Sequence, residues 1–241
     1  MGGISIEGLT ATSTLAVLGH GLVAYAIGSI PWAYIIVRFV TGEDVTSHGT
    51  GNVGAMNVRR TTGSWGWFAV AMLADLTKGF VPVAISKAMT LGTVIVPVGV
   101  LARSGDLEAP YFVLFPMAAV AGAVLGHNYS MWMAVIKRRF ARTGKGLATG
   151  AGALLAYDWR YFAAVVVVGL ATIAITRYMM AGQVVASATL PVAALALRSP
   201  DWPFALIMGA VVYAAHHKRF IGLLSGKEPK LYINDRSGPR G

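Results

Sequence analysis

Long apolar segments with few charges dominate this chain of 241 residues. Hydrophobic residues make up 56% of the sequence and Asp, Glu, Lys and Arg together only 12%, whereas a soluble domain carries about a quarter charged residues. A segment that crosses a bilayer must satisfy its backbone hydrogen bonds internally, so long apolar segments become helices. The sequence therefore predicts an all-α, polytopic transmembrane bundle. Because no repeat or low-complexity linker divides it, we expect one membrane domain over residues 1–241.

About seven membrane spans are expected from the apolar segments. They are predicted at residues 15–40, 65–89, 110–125, 147–157, 161–178, 184–197 and 202–215. Gly28, Ser29 and Pro31 predict an irregular or kinked helix within the first span, because proline lacks the N–H that a helix needs. Residues 94–102 are apolar but too few to cross alone, so they are expected to form an extension, a re-entrant piece or an interfacial segment.

Positive charge predicts the orientation of the bundle. The loops at 41–64 and 126–146, together with a basic tail at 216–241, hold most of the 20 Lys and Arg residues. Cytoplasmic loops carry an excess of Lys and Arg, so we expect the N-terminus outside and the C-terminal tail in the cytoplasm. The net charge of +10 then fits anionic lipid and anionic substrates, and no nucleic acid is expected as a partner.

A glycine-rich loop follows the first predicted span, with the sequence GTGNVGAMN at residues 49–57 and then Val58, Arg59 and Arg60. Glycines let backbone N–H groups crowd around a small anion, because no Cβ blocks the approach. The spacing GxGxxG also occurs in dinucleotide-binding proteins, but there a buried strand precedes it, and residues 43–48 are polar. We interpret the loop as a phosphate site; the open alternative is close packing of helices.

A second loop places a lysine between two glycines, at Gly144, Lys145 and Gly146. It is not a nucleotide-binding P-loop, because Arg139 stands where the leading glycine belongs and Gly146 replaces the Ser or Thr that holds magnesium. Lysine is a compact point charge suited to one phosphate. The alternative is an ordinary basic loop on the cytoplasmic side.

Other polar candidates lie at the helix ends and inside one span. His127 and Ser130 close the third predicted span, and His216 closes the last. Asp75 and Lys78 lie inside the second span, where charged groups are costly and should pair; at positions i and i+3 they can pair with each other. The chain has no cysteine and no carboxylate-rich cluster, so neither a metal nor a cofactor is expected.

Taken together, these segments resemble the bacterial acyl-phosphate:glycerol-3-phosphate acyltransferases. The matching segments are, in order, GSIP at residues 28–31, GTGNVGAMNVRR at 49–60, DLTKG at 75–79, GHNYS at 126–130, GKGLAT at 144–149 and, after His216, LLSGKE at 223–228. The resemblance implies a seven-span enzyme of the bacterial inner membrane with a cytoplasmic active site. Such an enzyme transfers an acyl group from acyl phosphate to glycerol 3-phosphate, giving lysophosphatidic acid and phosphate for phospholipid synthesis.

The resemblance also implies roles for individual residues. We expect Ser130, His127 and Asn57 to orient the reacting groups. The residues expected to bind substrate phosphate are Gly49, Thr50, Gly51, Asn52, Gly54, Arg60, Gly144, Lys145, Gly146 and His216.

Five positions depart from the family pattern. Thr50 stands in place of Ser, Met56 of Thr, Thr46 of Arg, Thr143 of Gly and Arg219 of Asn. Two alternatives therefore stay open beside the acyltransferase. One is a transporter of a phosphorylated metabolite, since carriers also use broken helices and glycine loops; the other is an inactive paralogue.

Overall fold

The computed structural model describes residues 11–90, 111–226 and 228, and these residues are helical apart from short connections. The α-helices are α1 (Ala11–Gly28), α2 (Trp32–Thr41), α3 (Ala55–Thr62), α4 (Trp65–Thr90), α5 (Tyr111–Asn128), α6 (Met131–Lys137), α7 (Leu147–Tyr157), α8 (Trp159–Thr176), α9 (Met179–Ala196) and α10 (Trp202–Leu224). A single 3-10 turn lies at Val45–Ser47.

The prediction of an all-helical membrane protein is confirmed. Within the described residues, four helical segments are long and apolar enough to cross a bilayer, at Thr14–Thr41, Trp65–Met89, Trp159–Thr176 and Met179–Ala196. The predicted third and fourth spans correspond to α5 and the shorter α7. The apolar piece at 94–102 and most of the predicted tail lie outside the described residues.

The last helix is longer than predicted. The sequence was interpreted as a span to residue 215 followed by a basic tail, but α10 continues to Leu224. Phe220, Ile221 and Leu223 extend the apolar character past the basic residues, and the helix ends where Gly226 adopts a positive φ of 69°. Residues 216–224, which we expected to begin the tail, are therefore helical; the cytoplasmic position of residues 216–241 stays a prediction.

The first span is broken between α1 and α2, as Gly28, Ser29 and Pro31 predicted. The break leaves the carbonyls of Ser29 and Ile30 outside the regular helical pattern. The Ser130 hydroxyl donates to the Ser29 carbonyl over 2.5 Å, and the Lys78 ammonium donates to the Ile30 carbonyl over 2.7 Å. Backbone groups at membrane depth must find such partners because lipid offers none. The Ile30 carbonyl also accepts a hydrogen bond from the Trp32 N–H over 3.1 Å, so Lys78 adds to a backbone contact there.

The chain divides into two compact units, with the boundary after Trp159. In the first unit α1 packs on α5 and α4 packs on α7. The α4–α7 contact is close, because glycine lies on each helix where the backbones meet. A Cβ at Gly79 would collide with the Thr149 carbonyl, and a Cβ at Gly152 would collide with the Leu76 carbonyl. This glycine-mediated approach fixes the start of α7 beside the middle of α4.

The polar segment at 41–64 is folded onto α2. A buried cluster joins Ile36 and Val37 of α2 to Val53 and Val58 of this segment and to Met133 of α6. The segment therefore contains a turn and a helix rather than an extended loop. The cluster holds the first glycine loop against α2.

The second unit contains most of α8 together with α9 and α10. α9 packs along α10. The Tyr161 hydroxyl donates to the buried Asp201 carboxylate over 2.7 Å, and Ser199 also hydrogen-bonds this carboxylate. The pair connects the start of α8 to the start of α10.

Replacing Gly79 by Ala should destabilise the first unit. The added methyl collides with the backbone carbonyl of Thr149, and overpacking of this kind costs about 1–3 kcal/mol. Gly66→Ala is the matched control in the same helix, because a Cβ there meets only the Ser64 hydroxyl at 3.5 Å. Thermal unfolding in detergent should give a lower Tm for Gly79→Ala only; equal Tm values for the two variants would contradict the close α4–α7 contact.

Candidate functional site

The two glycine loops predicted from the sequence lie against each other. The backbone N–H of Val53, in the first loop (residues 49–54), donates to the carbonyl of Thr143, in the second loop (residues 142–146), over 2.8 Å. α3 begins directly after the first loop and α7 directly after the second. The structure therefore brings together two glycine loops and the N-termini of two helices, although the loops are distant in the sequence.

The first loop presents its backbone to the surface. Thr50 is exposed, and Gly51, Asn52 and Gly54 are half-buried. Gly54 is the N-cap of α3, and no side chain caps this helix. Uncapped N–H groups at a helix N-terminus, together with the helix dipole, favour an anion.

The side chain of Asn57 packs against the first loop and the residues before it. Its amide nitrogen donates to the carbonyls of Val45 (2.8 Å) and His48 (3.0 Å). Its Oδ1 is buried without a hydrogen-bond partner and faces the Cα of Gly49, where any Cβ would collide with it. Gly49 also has a positive φ of 54°, so glycine is required there. These contacts give Asn57 a supporting geometry; the orienting role that we expected stays a prediction.

The two arginines after the first loop have different surroundings. The guanidinium of Arg59 lies 3.9 Å from the ring centroid of Trp65, a cation–π contact. The stem of Arg60 lies beside Gly49, and its side chain is exposed. Of the two, Arg60 is therefore the cation next to Gly49; its predicted part in phosphate binding stays a prediction.

The second loop has the same construction as the first. Gly146 has a positive φ of 76°, and a Cβ there would meet Oδ1 of Asn128, which is buried without a hydrogen-bond partner. Gly146 is the N-cap of α7 and no side chain caps the helix. The Thr143 N–H donates to the Asn128 carbonyl over 2.8 Å. Asn128 was not among the predicted site residues, because nothing in its spacing distinguishes an asparagine that supports a loop.

Lys145 lies half-buried between two buried glycines. On one side, Gly144 rests on the imidazole of His127, and a Cβ at Gly144 would collide with the Cδ2–Nε2 edge of that ring. On the other side is Gly146. The position of the lysine is thus set by the close packing of its two neighbours.

A buried ionic cluster lies beneath the second loop. The Lys78 ammonium is 2.9 Å from the Asp75 carboxylate, which confirms the predicted i, i+3 pair. Nδ1 of His127 is 3.7 Å from the same carboxylate oxygen and 3.1 Å from the Thr149 hydroxyl. All four side chains are less than a tenth exposed, so α4, α5 and α7 meet at one polar centre.

Ser130 is engaged by two backbone groups. It is the N-cap of α6 and accepts a hydrogen bond from the Met133 N–H at 3.1 Å, while its hydroxyl donates to the Ser29 carbonyl. The side chain is 3% exposed. This geometry makes Ser130 a joint between α6 and the helix break; the orienting role in chemistry stays a prediction.

His216 lies in the second unit, in the last third of α10. It is buried, and its Nδ1 donates to the Val212 carbonyl one turn earlier over 2.7 Å. Its predicted part in phosphate binding stays a prediction.

A clamp at the surface joins α6 to the segment before the first loop. The Asp44 carboxylate accepts hydrogen bonds from the Lys137 ammonium and from the N–H and hydroxyl of Thr46, at 2.9 and 2.7 Å. Partial burial alone would raise the pKa of Asp44, but these hydrogen bonds and the lysine charge outweigh it and lower the pKa from 3.8 to about 2. The clamp is therefore ionised at neutral pH.

A groove of about 530 Å³ lies between α2 and α6. Its lining is apolar except for one guanidinium, and the lining residues are Ile30, Pro31, Tyr34, Ile35, Arg38, Phe39, Trp132 and Ile136. One end adjoins the helix break, where Ser130 meets Ser29. We call this feature the α2–α6 groove.

No group of three or more His, Asp or Glu residues that could hold a metal ion occurs in the part of the chain that the structure describes.

Comparison with known sequences gives one consistent family. The sequence model of the family described as glycerol-3-phosphate acyltransferase matches residues 17–226. A glycerol-3-phosphate acyltransferase of Desulforudis audaxviator (strain MP104C) is 32% identical over 226 residues, covering 92% of this chain and 98% of that protein. One from Synechococcus sp. (strain JA-3-3Ab) is 34% identical over 222 residues, covering 91% and 94%.

Comparison with solved structures shows the same fold. The crystal structure of PlsY (YgiH), an integral membrane glycerol 3-phosphate acyltransferase, in its glycerol 3-phosphate form matches with a TM-score of 0.71 at 24% identity. Its lysophosphatidic acid form matches with a TM-score of 0.70 at 23% identity. Each match covers 90% of this chain and 96% of the other chain.

The Asp44–Lys137 clamp should make stability depend on acid pH. Because the pKa of Asp44 is lowered in the folded protein, its contribution is complete above about pH 4 and is lost as the pH falls toward about 2. We expect Lys137→Met to be less stable than the wild type at pH 6, with the difference in Tm shrinking between about pH 4 and pH 2. The Asp44→Asn variant is the control and should not show this loss. A wild-type advantage that stays constant down to pH 2 would contradict the clamp.

Proposed function

We propose that this chain, which belongs to the glycerol-3-phosphate acyltransferase family, transfers an acyl group from acyl phosphate to glycerol 3-phosphate. The products are lysophosphatidic acid and inorganic phosphate, and the pathway is phospholipid synthesis. Family membership supports the acceptor and the acyl transfer. The choice of acyl phosphate as donor rests on the site, which offers places for two phosphates.

The observation that carries the proposal is the contact between the two glycine loops. Both reactants carry a phosphate group, and the hydrogen bond between Val53 and Thr143 holds the two glycine loops side by side. We infer that residues 49–54, with Thr50 and Asn52, bind one phosphate through the backbone and the α3 N-terminus. Arg60 and Lys145 then anchor glycerol 3-phosphate, with the α7 N-terminus adding further N–H donors.

The reaction needs no protein nucleophile. A hydroxyl oxygen of glycerol 3-phosphate attacks the acyl carbonyl, the new ester C–O bond forms, and the C–O bond to phosphate breaks. Phosphate is a good leaving group, and a phosphate oxygen takes the hydroxyl proton. Positioning the two reactants and stabilising the developing negative charge can supply most of the rate. His127, Asn57 and Ser130 contribute by holding the site in shape.

We place the acyl chain in the α2–α6 groove. The groove is apolar along its length, opens to the surroundings of the bundle and begins at the helix break beside Ser130. Arg38 is the charged residue of its lining and complements an anionic head group. An acyl chain that enters from the bilayer could thus reach the site without leaving an apolar environment.

For the topology, we propose seven spans with the N-terminus outside and the loops at 49–54 and 142–146 in the cytoplasm of a bacterial cell. The Lys and Arg residues in the longer segments 41–64, 126–146 and 216–241 support this orientation. It places the site where a water-soluble phosphorylated acceptor is available.

Purified protein should release phosphate from palmitoyl phosphate only when glycerol 3-phosphate is also present. Equimolar lysophosphatidic acid should form, and Lys145→Ala should reduce the rate because it removes a charge from the second loop. Uptake of glycerol 3-phosphate into sealed vesicles without any acyl donor would instead identify a carrier. A folded protein with neither activity would be an inactive paralogue.

The adjacent arginines give a matched test of acceptor binding. Arg60→Ala should raise the KM for glycerol 3-phosphate about 10-fold or more, because a hydrogen bond to a charged group contributes about 1.5–3 kcal/mol. Arg59→Ala should leave this KM within about twofold, since Arg59 stacks on Trp65 and that packing lies away from the loop. Equal effects of the two substitutions would argue against Arg60 as the anchor.

A further inference from the structure

The ionic cluster beneath the second loop contains more than the Asp75–Lys78 charge pair, because His127 and Thr149 are also part of it. We propose that Asp75, Lys78 and Thr149 are positioning residues for glycerol 3-phosphate: they fix the imidazole of His127, and the imidazole fixes the loop that carries Lys145. This inference rests on the proposed function of that loop.

The first support is that the His127 ring contacts residues before and after Lys145 in the sequence. Gly144 packs on the Cδ2–Nε2 edge of the His127 ring. Thr149, in the first turn of α7, is 3.1 Å from Nδ1 of the same ring. Rotation of the imidazole would therefore displace both ends of the segment from Gly144 to Thr149, and with it the lysine.

The second support is how the ring is held. Nδ1 of His127 lies 3.7 Å from an Asp75 carboxylate oxygen, and the same oxygen is 2.9 Å from the Lys78 ammonium. A carboxylate beside one ring nitrogen selects the tautomer and the orientation of an imidazole. Asp75 thus acts on His127, while Lys78 holds the carboxylate in place.

The third support is the cost of the cluster. An ion pair in a bilayer is expensive, and apolar side chains of similar volume often give equal or better stability. Asp75 is 2% and Lys78 5% exposed, so packing alone gives no reason for charge at this place. Lys78 also donates to the Ile30 carbonyl, at the start of the α2–α6 groove. The cluster therefore touches the structures that we assign to both reactants.

Thr149→Val tests the link without changing any charge. It should raise the Kd for glycerol 3-phosphate, measured by calorimetry on the purified full-length protein, about 10-fold, the equivalent of roughly one lost hydrogen bond. The KM for palmitoyl phosphate should stay within about twofold, and Thr149→Ser should restore the wild-type Kd because it keeps the hydroxyl. Thr189→Val is the control, since this threonine is half-buried on α9, in the second unit, and its hydroxyl donates to the Val185 carbonyl of its own helix.

The double variant Asp75→Asn with Lys78→Met distinguishes a positioning role from a purely structural charge pair. It provides the test if Thr149→Val does not fold. A positioning role predicts a folded double variant whose Kd for glycerol 3-phosphate remains raised. A purely structural pair predicts the wild-type Kd once both charges are removed. A wild-type Kd in the folded Thr149→Val or double variant overturns the inference. A wild-type protein that binds no glycerol 3-phosphate would overturn the proposed function as well.

Discussion

The hydrogen bond between the Val53 N–H and the Thr143 carbonyl is the contact on which this site depends. It joins two loops built in the same way: a glycine with positive φ lies over a buried asparagine oxygen, and an uncapped helix follows. Either loop alone could hold one phosphate. In the proposed reaction, their contact brings two phosphorylated molecules together, because the reacting atoms must be held within bonding reach.

The bilayer imposes a second constraint, which explains several polar residues. A helix broken inside the first span leaves carbonyls that lipid cannot satisfy. Ser130 donates to one of them, and Lys78 donates to the other beside the Trp32 N–H. The break in turn lets α2 diverge from α1 and form one wall of the α2–α6 groove. The same side chains that stabilise an irregular backbone thus lie at one end of the groove that we propose for the acyl chain.

The sequence predicted what depends on composition and local spacing. The length of the apolar segments predicted the long helices, and Pro31 with its neighbours predicted the break in the first span. Glycine spacing predicted both loops, and the i, i+3 spacing predicted the Asp75–Lys78 pair. It did not predict α3 and α6, since helices of eight and seven residues inside polar segments leave almost no periodic signal. Nor did it predict that Arg59 stacks on Trp65, or the supporting roles of Asn128 and Thr149, because these follow from contacts between side chains and not from spacing.

Labelling from one side of the membrane tests the central claim most directly, and the natural sequence has no cysteine to interfere. Thr50→Cys and Arg142→Cys place one thiol on each loop, at exposed positions. In sealed vesicles of known orientation, both should react with a membrane-impermeant maleimide from the cytoplasmic side only, and glycerol 3-phosphate should slow both reactions. Reaction from opposite sides of the bilayer would contradict a joint site for two phosphates.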